Sequence, residues 1–130
     1  MVKVWTNGCF DILHKGHVEL FKHAKSLGDH LMVGIDSDNK VRKMKGTGRP
    51  INSQKDRAAV LSAIKYIDEI VVFDTIGELS GRVKDYSPDI LVVGSDWKGR
   101  DIIGAEHAQR IEFFQRIDGY STTNILNNIK

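Results

Sequence analysis

Short apolar runs alternate along this chain with stretches of helical spacing. Val2 to Thr6 reads as a short strand. From Gly16 to Leu27 the apolar residues Leu20, Phe21, Ala24 and Leu27 recur at helical intervals, and Gly28 stands where such a helix would stop. His30 to Asp36 holds Leu31, Met32, Val33 and Ile35 and predicts a buried strand, with Ser37, Asp38 and Asn39 marking a turn after it. Lys40 to Pro50 has no clean period and is rich in basic residues and glycine. It predicts a functional loop with at most a short helical start. Asn52 or Ser53 can cap the next helix, whose apolar face would be Val60, Leu61, Ile64 and Ile67. Ile70 to Phe73 predicts a strand, and Glu78 to Tyr86 a helix with Leu79 and Val83 on one face. Pro88 breaks that helix, and Ile90 to Val93 forms the fourth strand. A short helix over Ile103 to Gln109, a fifth strand over Ile111 to Phe114 and a closing helix over Ser121 to Ile129 complete the expected order.

Strands that alternate with helices predict an α/β fold: a Rossmann-like, doubly wound parallel sheet of five strands with helices on both faces. Right-handed crossovers restrict the topology further. Such sheets bind ligands at the carboxyl ends of their strands, where strand order reverses. The segments after strands one, two, four and five all fall on that edge and carry most of the chemically interesting residues. No internal repeat, low-complexity tract or linker interrupts the pattern. The 130 residues therefore predict a single domain over 1–130, long enough to bury a sizeable core.

Composition narrows the class. Hydrophobic residues make up 41% and charged residues 28%, an ordinary soluble balance. The net charge of +2, from 19 basic and 17 acidic residues, is too small to argue for nucleic acid as a partner. Lys40, Arg42, Lys43, Lys45 and Arg49 nonetheless crowd one segment. One cysteine, Cys9, excludes an intramolecular disulfide and a cysteine-rich metal site, and suits a reducing interior. The sequence shows no charged-then-apolar leader and no apolar run near the length of a membrane span. The expectation is a cytoplasmic protein with no membrane partner.

The densest chemistry lies in Gly8-Cys9-Phe10-Asp11-Ile12-Leu13-His14-Lys15-Gly16-His17. Two histidines flank a glycine where a buried strand gives way to a helix. That turn exposes backbone N–H groups, and the helix start adds positive potential, so a phosphate fits there. Histidines add movable donors that can carry charge, and Gly16 lets the backbone approach a ligand closely. The bland alternative is a capped helix start with two solvated histidines. Zinc is a third reading, but no third ligand stands at suitable spacing, and no metal ligand is assigned. His23, His30 and His107 have no comparable context. Cys9 reads as a small packing residue rather than a nucleophile.

With Gly8, Phe10, Asp11 and Gly16 at their spacing, the segment resembles the His-x-Gly-His motif of the cytidylyltransferase-like nucleotidyltransferases. The resemblance covers nearly the whole chain. Thr6-Asn7-Gly8-Cys9-Phe10-Asp11, Gly48-Arg49-Pro50-Ile51-Asn52 and Ile103-Gly104-Ala105-Glu106 are most similar to the heptose 1-phosphate adenylyltransferases, the ADP-heptose synthase branch. The resemblance implies that a nucleoside triphosphate is joined to a small sugar phosphate with release of pyrophosphate. The best match is ATP with D-glycero-D-manno-heptose 1-phosphate, giving ADP-heptose for lipopolysaccharide or another cell-surface polysaccharide. It implies a Mg2+ ion carried by the triphosphate, and a homodimer.

The resemblance also implies residue roles. His14, His17 and Lys45 would be catalytic, the histidines at the α-phosphate and Lys45 on the phosphates. Gly8, Cys9, Phe10, Gly16, Gly94, Asp96, Trp97, Arg116, Tyr120, Ser121, Thr122 and Thr123 would bind the nucleotide, the last three as the family's Ser-Thr-Thr signature. Asp11 and Arg57 would bind the acceptor, Arg57 through its phosphate. Two alternatives stay open. Trp97 and Arg116 are also similar to glycerol-3-phosphate cytidylyltransferases, which use CTP and give CDP-glycerol. A non-catalytic nucleotide sensor of the same fold is the alternative of another class.

Overall fold

The computed structural model of the chain describes residues 1–115. The predicted helix over 121–129 lies outside them. Five parallel strands form one sheet: β1 (Lys3–Gly8), β2 (His30–Asp36), β3 (Glu69–Phe73), β4 (Ile90–Gly94) and β5 (Arg110–Phe114). Their order across the sheet is β3-β2-β1-β4-β5, so the chain winds outward from β1 in one direction and returns to its other side through β4. Four helices connect the strands: α1 (Lys15–Ser26), α2 (Asp38–Lys45), α3 (Gln54–Ser62) and α4 (Ile76–Tyr86). The doubly wound parallel fold expected from the sequence is the one observed.

Strand alternation divides the core between the two faces. Val4, Leu31, Val33, Ile35, Ile90 and Val92 face one side, where Phe21 and Ala24 of α1 and Leu61 of α3 cover them. Trp5, Phe73 and Leu91 face the other, covered by Leu79, Val83 and Tyr86 of α4. Trp5 is fully buried and lies across β2: a Cβ built on Gly34 would stand 2.6 Å from Trp5 Cζ2. The indole and the glycine are therefore one packing unit.

Three expectations need correction. The segment after β2 is not a loop from Lys40. Ser37 caps a helix by accepting the Lys40 N–H, and Val41 anchors it in the core. Its basic side chains hid the period, because one buried residue suffices for a two-turn helix. The helix capped by Ser53 ends at Ser62 and buries Arg57 and Leu61, while Val60 is 52% exposed. Ile64 and Ile67 still pack on the core, but from the turn that follows. Over Ile103–Gln109 the chain makes just a single 3-10 turn, Ala105–His107.

Candidate functional site

The register of β1 and β4 pairs Val4 with Ile90 and Trp5 with Leu91, whereas β1 and β2 stay paired from Lys3 to Gly8. At the next step the Thr6 hydroxyl donates to the Val92 carbonyl at 2.9 Å, so a side chain replaces the backbone ladder. The two strands part here, at the point where strand order reverses, and parallel sheets bind ligands at such points. A cavity of about 590 Å³ opens at this edge. That volume suits a ligand of nucleotide size.

The start of α1 forms one wall. His14 is its N-cap, and its Nδ1 accepts the Gly16 N–H at 3.1 Å. His17 Nδ1 in turn accepts the His14 N–H at 3.3 Å, closing a reciprocal capping box. The imidazoles stack with centroids 3.8 Å apart. Accepting a backbone N–H at Nδ1 places the proton of each neutral ring on Nε2. Two Nε2–H donors on neighbouring rings therefore belong to a wall of the cavity that both histidines line.

The turn that carries them is held under strain. Phe10 and Ile12 have φ of 49° and 54°, in the left-handed region that non-glycine residues rarely adopt. Packing over-determines this geometry. The buried Phe10 ring meets His17 edge-on at 5.3 Å and Phe21 at 4.9 Å. Gly8 admits that ring, since a Cβ there would stand 3.0 Å from Phe10 Cζ.

Asp11 lines the cavity, yet its carboxylate is tied to the protein. It accepts the N–H groups of Ile51 at 2.6 Å and Asn52 at 2.9 Å, with Arg49 Nε 3.7 Å away. It fastens the Gly48–Asn52 segment to the β1–α1 turn. Arg57 departs further from its expected place. The side chain is 1% exposed and is not part of the cavity wall. Its guanidinium donates to the carbonyls of Cys9, Asp36 and Asn52 and to the Asp38 carboxylate. It ties the ends of β1 and β2 to α3. Four of its five N–H donors are thus committed to the protein.

The remaining expected residues divide by position. Gly8, Cys9, Phe10, Gly16, Lys45, Gly94 and Trp97 all line the cavity. Lys45 is exposed on the last turn of α2, where the helix end favours a cation. Trp97 lines the cavity and is 42% exposed. Asp96 is exposed and outside the lining. Arg116, Tyr120, Ser121, Thr122 and Thr123 lie outside the described residues. Burial pushes the Cys9 thiol up, with Lys45 and Arg57 offsetting part of that rise, so a thiolate nucleophile is disfavoured. His23, His30 and His107 sit away from the cavity, beside Glu112, Glu69 with Tyr86, and Glu106 respectively.

The structure adds residues that sequence reading passed over. Asp36 and Lys40 line the cavity as an ion pair, with Nζ and Oδ1 3.0 Å apart. Asp36 ends β2 and Lys40 lies in the first turn of α2, so the pair forms across the strand-to-helix turn that Ser37 caps. Val93, Ile102, Ile103 and Phe114 give the β4 side of the cavity an apolar surface. Among the described residues no group of three or more His, Cys, Asp or Glu is placed to hold a metal ion, and no helix is long and apolar enough to cross a membrane.

The model of the Cytidylyltransferase-like family matches residues 5–128. The protein named Bifunctional protein HldE of Campylobacter fetus subsp. fetus (strain 82-40) is 46% identical over 127 residues, covering 98% of this chain and 28% of that protein. The protein of the same name from Helicobacter pylori (strain J99) is 47% identical over 129 residues, covering 98% of this chain and 27% of that protein. The chain thus spans little more than a quarter of the length of these relatives. A solved structure described as the lipopolysaccharide core biosynthesis protein from Thermoplasma volcanium GSS1 is similar with a TM-score of 0.75 and 30% identity, covering 91% of this chain and 99% of that one.

Proposed function

The chain belongs to the cytidylyltransferase-like family, and from that membership we propose that it is a nucleotidyltransferase acting on a small sugar phosphate. The observation that carries this reading is the stacked His14–His17 pair, its tautomers set by the α1 capping box, in a nucleotide-sized cavity at the sheet's switch point. A phosphate oxygen of the acceptor attacks the α-phosphorus of a nucleoside triphosphate. The bond from that phosphorus to the β-phosphate bridging oxygen breaks, and pyrophosphate leaves. The attacking phosphate is already an anion, so no proton need be removed from it. The protein's task is to hold two repelling anions in line and to stabilise the charge that builds on the α-phosphate.

His14 and His17 would donate from Nε2 to that group. Lys45 would reach the phosphate tail, a task suited to a compact charge on a flexible stem. Asp11 and Arg57 act from behind, holding the turn and the Gly48–Asn52 segment in register. Ser121, Thr122 and Thr123 carry the family signature for the tail, with Arg116 and Tyr120 beside them in the sequence. A magnesium ion carried in by the triphosphate would supply charge neutralisation at the phosphates.

The substrate pair favoured is ATP with D-glycero-D-manno-heptose 1-phosphate, giving ADP-heptose. Similarity to proteins named HldE and to a lipopolysaccharide core biosynthesis protein supports it. The test is pyrophosphate release from MgATP or MgCTP against heptose 1-phosphate and glycerol 3-phosphate. Release with ATP and the heptose phosphate is the expected result. Release with CTP and glycerol 3-phosphate alone would move the assignment to CDP-glycerol synthesis. Nucleotide binding without release from any pair would refute both substrate assignments and leave another acceptor or a sensor.

A further inference from the structure

Asp36 ends β2 with its carboxylate in the wall of a cavity suited to two anions. On charge alone that is a poor position, since a carboxylate repels phosphate. Lys40 removes the objection. Its ammonium lies 3.0 Å from Asp36 Oδ1, and both side chains are largely buried. The ammonium also sits 5.6 Å from the centre of the Phe73 ring, which holds it in place. The pair is neutral overall and oriented. The second carboxylate oxygen makes no hydrogen bond to any described residue. Among the described residues, the other side-chain oxygens in the wall are engaged: Asp11 by Ile51 and Asn52, Asn7 by the Trp5 indole, Thr6 by Val92.

The polarity of the cavity says what this oxygen can meet. The β4 side presents Val93, Trp97, Ile102, Ile103 and Phe114, while the β2–α2 side presents the charged Asp36, Lys40 and Lys45 beside Met44. A nucleobase is accommodated best by the apolar and aromatic side. A polyol needs hydrogen-bond partners to replace its water. With the reacting phosphates at the histidines between these two regions, the acceptor's carbon skeleton falls to the β2 side.

We propose that Asp36, neutralised and oriented by Lys40, accepts hydrogen bonds from hydroxyl groups of the acceptor. It is then a specificity residue that favours polyhydroxylated phosphates over phosphoalcohols that lack those hydroxyls. This rests on the nucleotidyl-transfer reading above.

The experiment is steady-state pyrophosphate release with MgATP and heptose 1-phosphate, for wild type, Asp36→Ala, Lys40→Met and the Asp36→Asn/Lys40→Met double variant. Asp36→Ala is expected to raise the acceptor KM by about tenfold or more and to leave the ATP KM and kcat near wild type, because the lost contact orients the acceptor alone. Lys40→Met is expected to raise the acceptor KM as well, since it leaves a bare carboxylate beside the phosphates. Adding Asp36→Asn removes that charge and should recover part of the loss, which a merely structural role would not produce. If Asp36→Ala fails to fold, the comparison of Lys40→Met with the double variant decides. A raised ATP KM with unchanged acceptor KM would overturn the proposal and put Asp36 on the ribose. Unchanged kinetics in Asp36→Ala, or no recovery in the double variant, would overturn it while leaving nucleotidyl transfer intact. A wild type that releases no pyrophosphate with any sugar phosphate would overturn both.

Discussion

Replacing Arg57 with alanine separates a clamp from a substrate ligand. The side chain is 1% exposed and donates to three backbone carbonyls, those of Cys9, Asp36 and Asn52, and to the Asp38 carboxylate. Alanine leaves the carbonyls without these donors, at roughly 1 kcal/mol each where water can partly replace the guanidinium. Loss of the pair with Asp38, whose side chain is 30% exposed, adds up to about 1 kcal/mol. The expected destabilisation is about 4 kcal/mol, a large share of the roughly 5–15 kcal/mol that holds a domain folded. For a chain of this length each kcal/mol moves the midpoint by about 4 °C, so Tm should fall by about 15 °C. Arg57→Lys keeps the charge but not the planar fork, and should recover only a minor part. Thermal unfolding followed by circular dichroism reads the effect, with acceptor KM measured on whatever remains folded. A Tm within about 2 °C of wild type, together with a raised acceptor KM, would refute the clamp and restore Arg57 as a phosphate ligand.

Other substitutions test other links. His14→Asn keeps a side-chain acceptor for the Gly16 N–H but loses the ring donor, so Tm should hold within a few degrees while kcat falls by about 10²–10³; His14→Ala should lose both, with about 1 kcal/mol from the cap. Gly34→Ala brings a Cβ to 2.6 Å from the Trp5 ring and should cost about 1–3 kcal/mol, read as a lower denaturant midpoint. Cys9→Ser should keep turnover within about threefold, and the native thiol should react slowly with iodoacetamide near neutral pH, because burial raises its pKa. Burial pushes the Asp68 carboxyl up, but hydrogen bonds from the Lys25 ammonium and the Leu31 N–H pull it below its usual 3.8 on balance. Its contribution to stability is therefore present above pH 3.8 and lost as pH falls through the lower folded value, and Asp68→Asn should flatten that part of the acid-unfolding curve.

The sequence by itself determined the layers and the edge on which the site lies. The apolar runs at Leu31–Ile35 and Ile90–Val93 can be buried only in a sheet covered on both faces. The spacing of Phe21 with Ala24, and of Leu79 with Val83, marks the helix faces that cover it. Gly8, His14, Gly16 and His17 were legible because their chemistry is local: neighbours in the chain make the turn, the cap and the donors. What depended on distant partners was not legible. An arginine with a free fork and one committed to carbonyls from β1, β2 and the α3 start look the same in a sequence, so Arg57 read as a ligand and folds as a clamp. Asp11 and the Ile51–Asn52 N–H groups meet across 40 residues. Asp36 and Lys40 became a pair only when a segment that read as a loop wound into α2. Tertiary structure decided these roles, because a buried polar group must find its partners wherever the fold brings them.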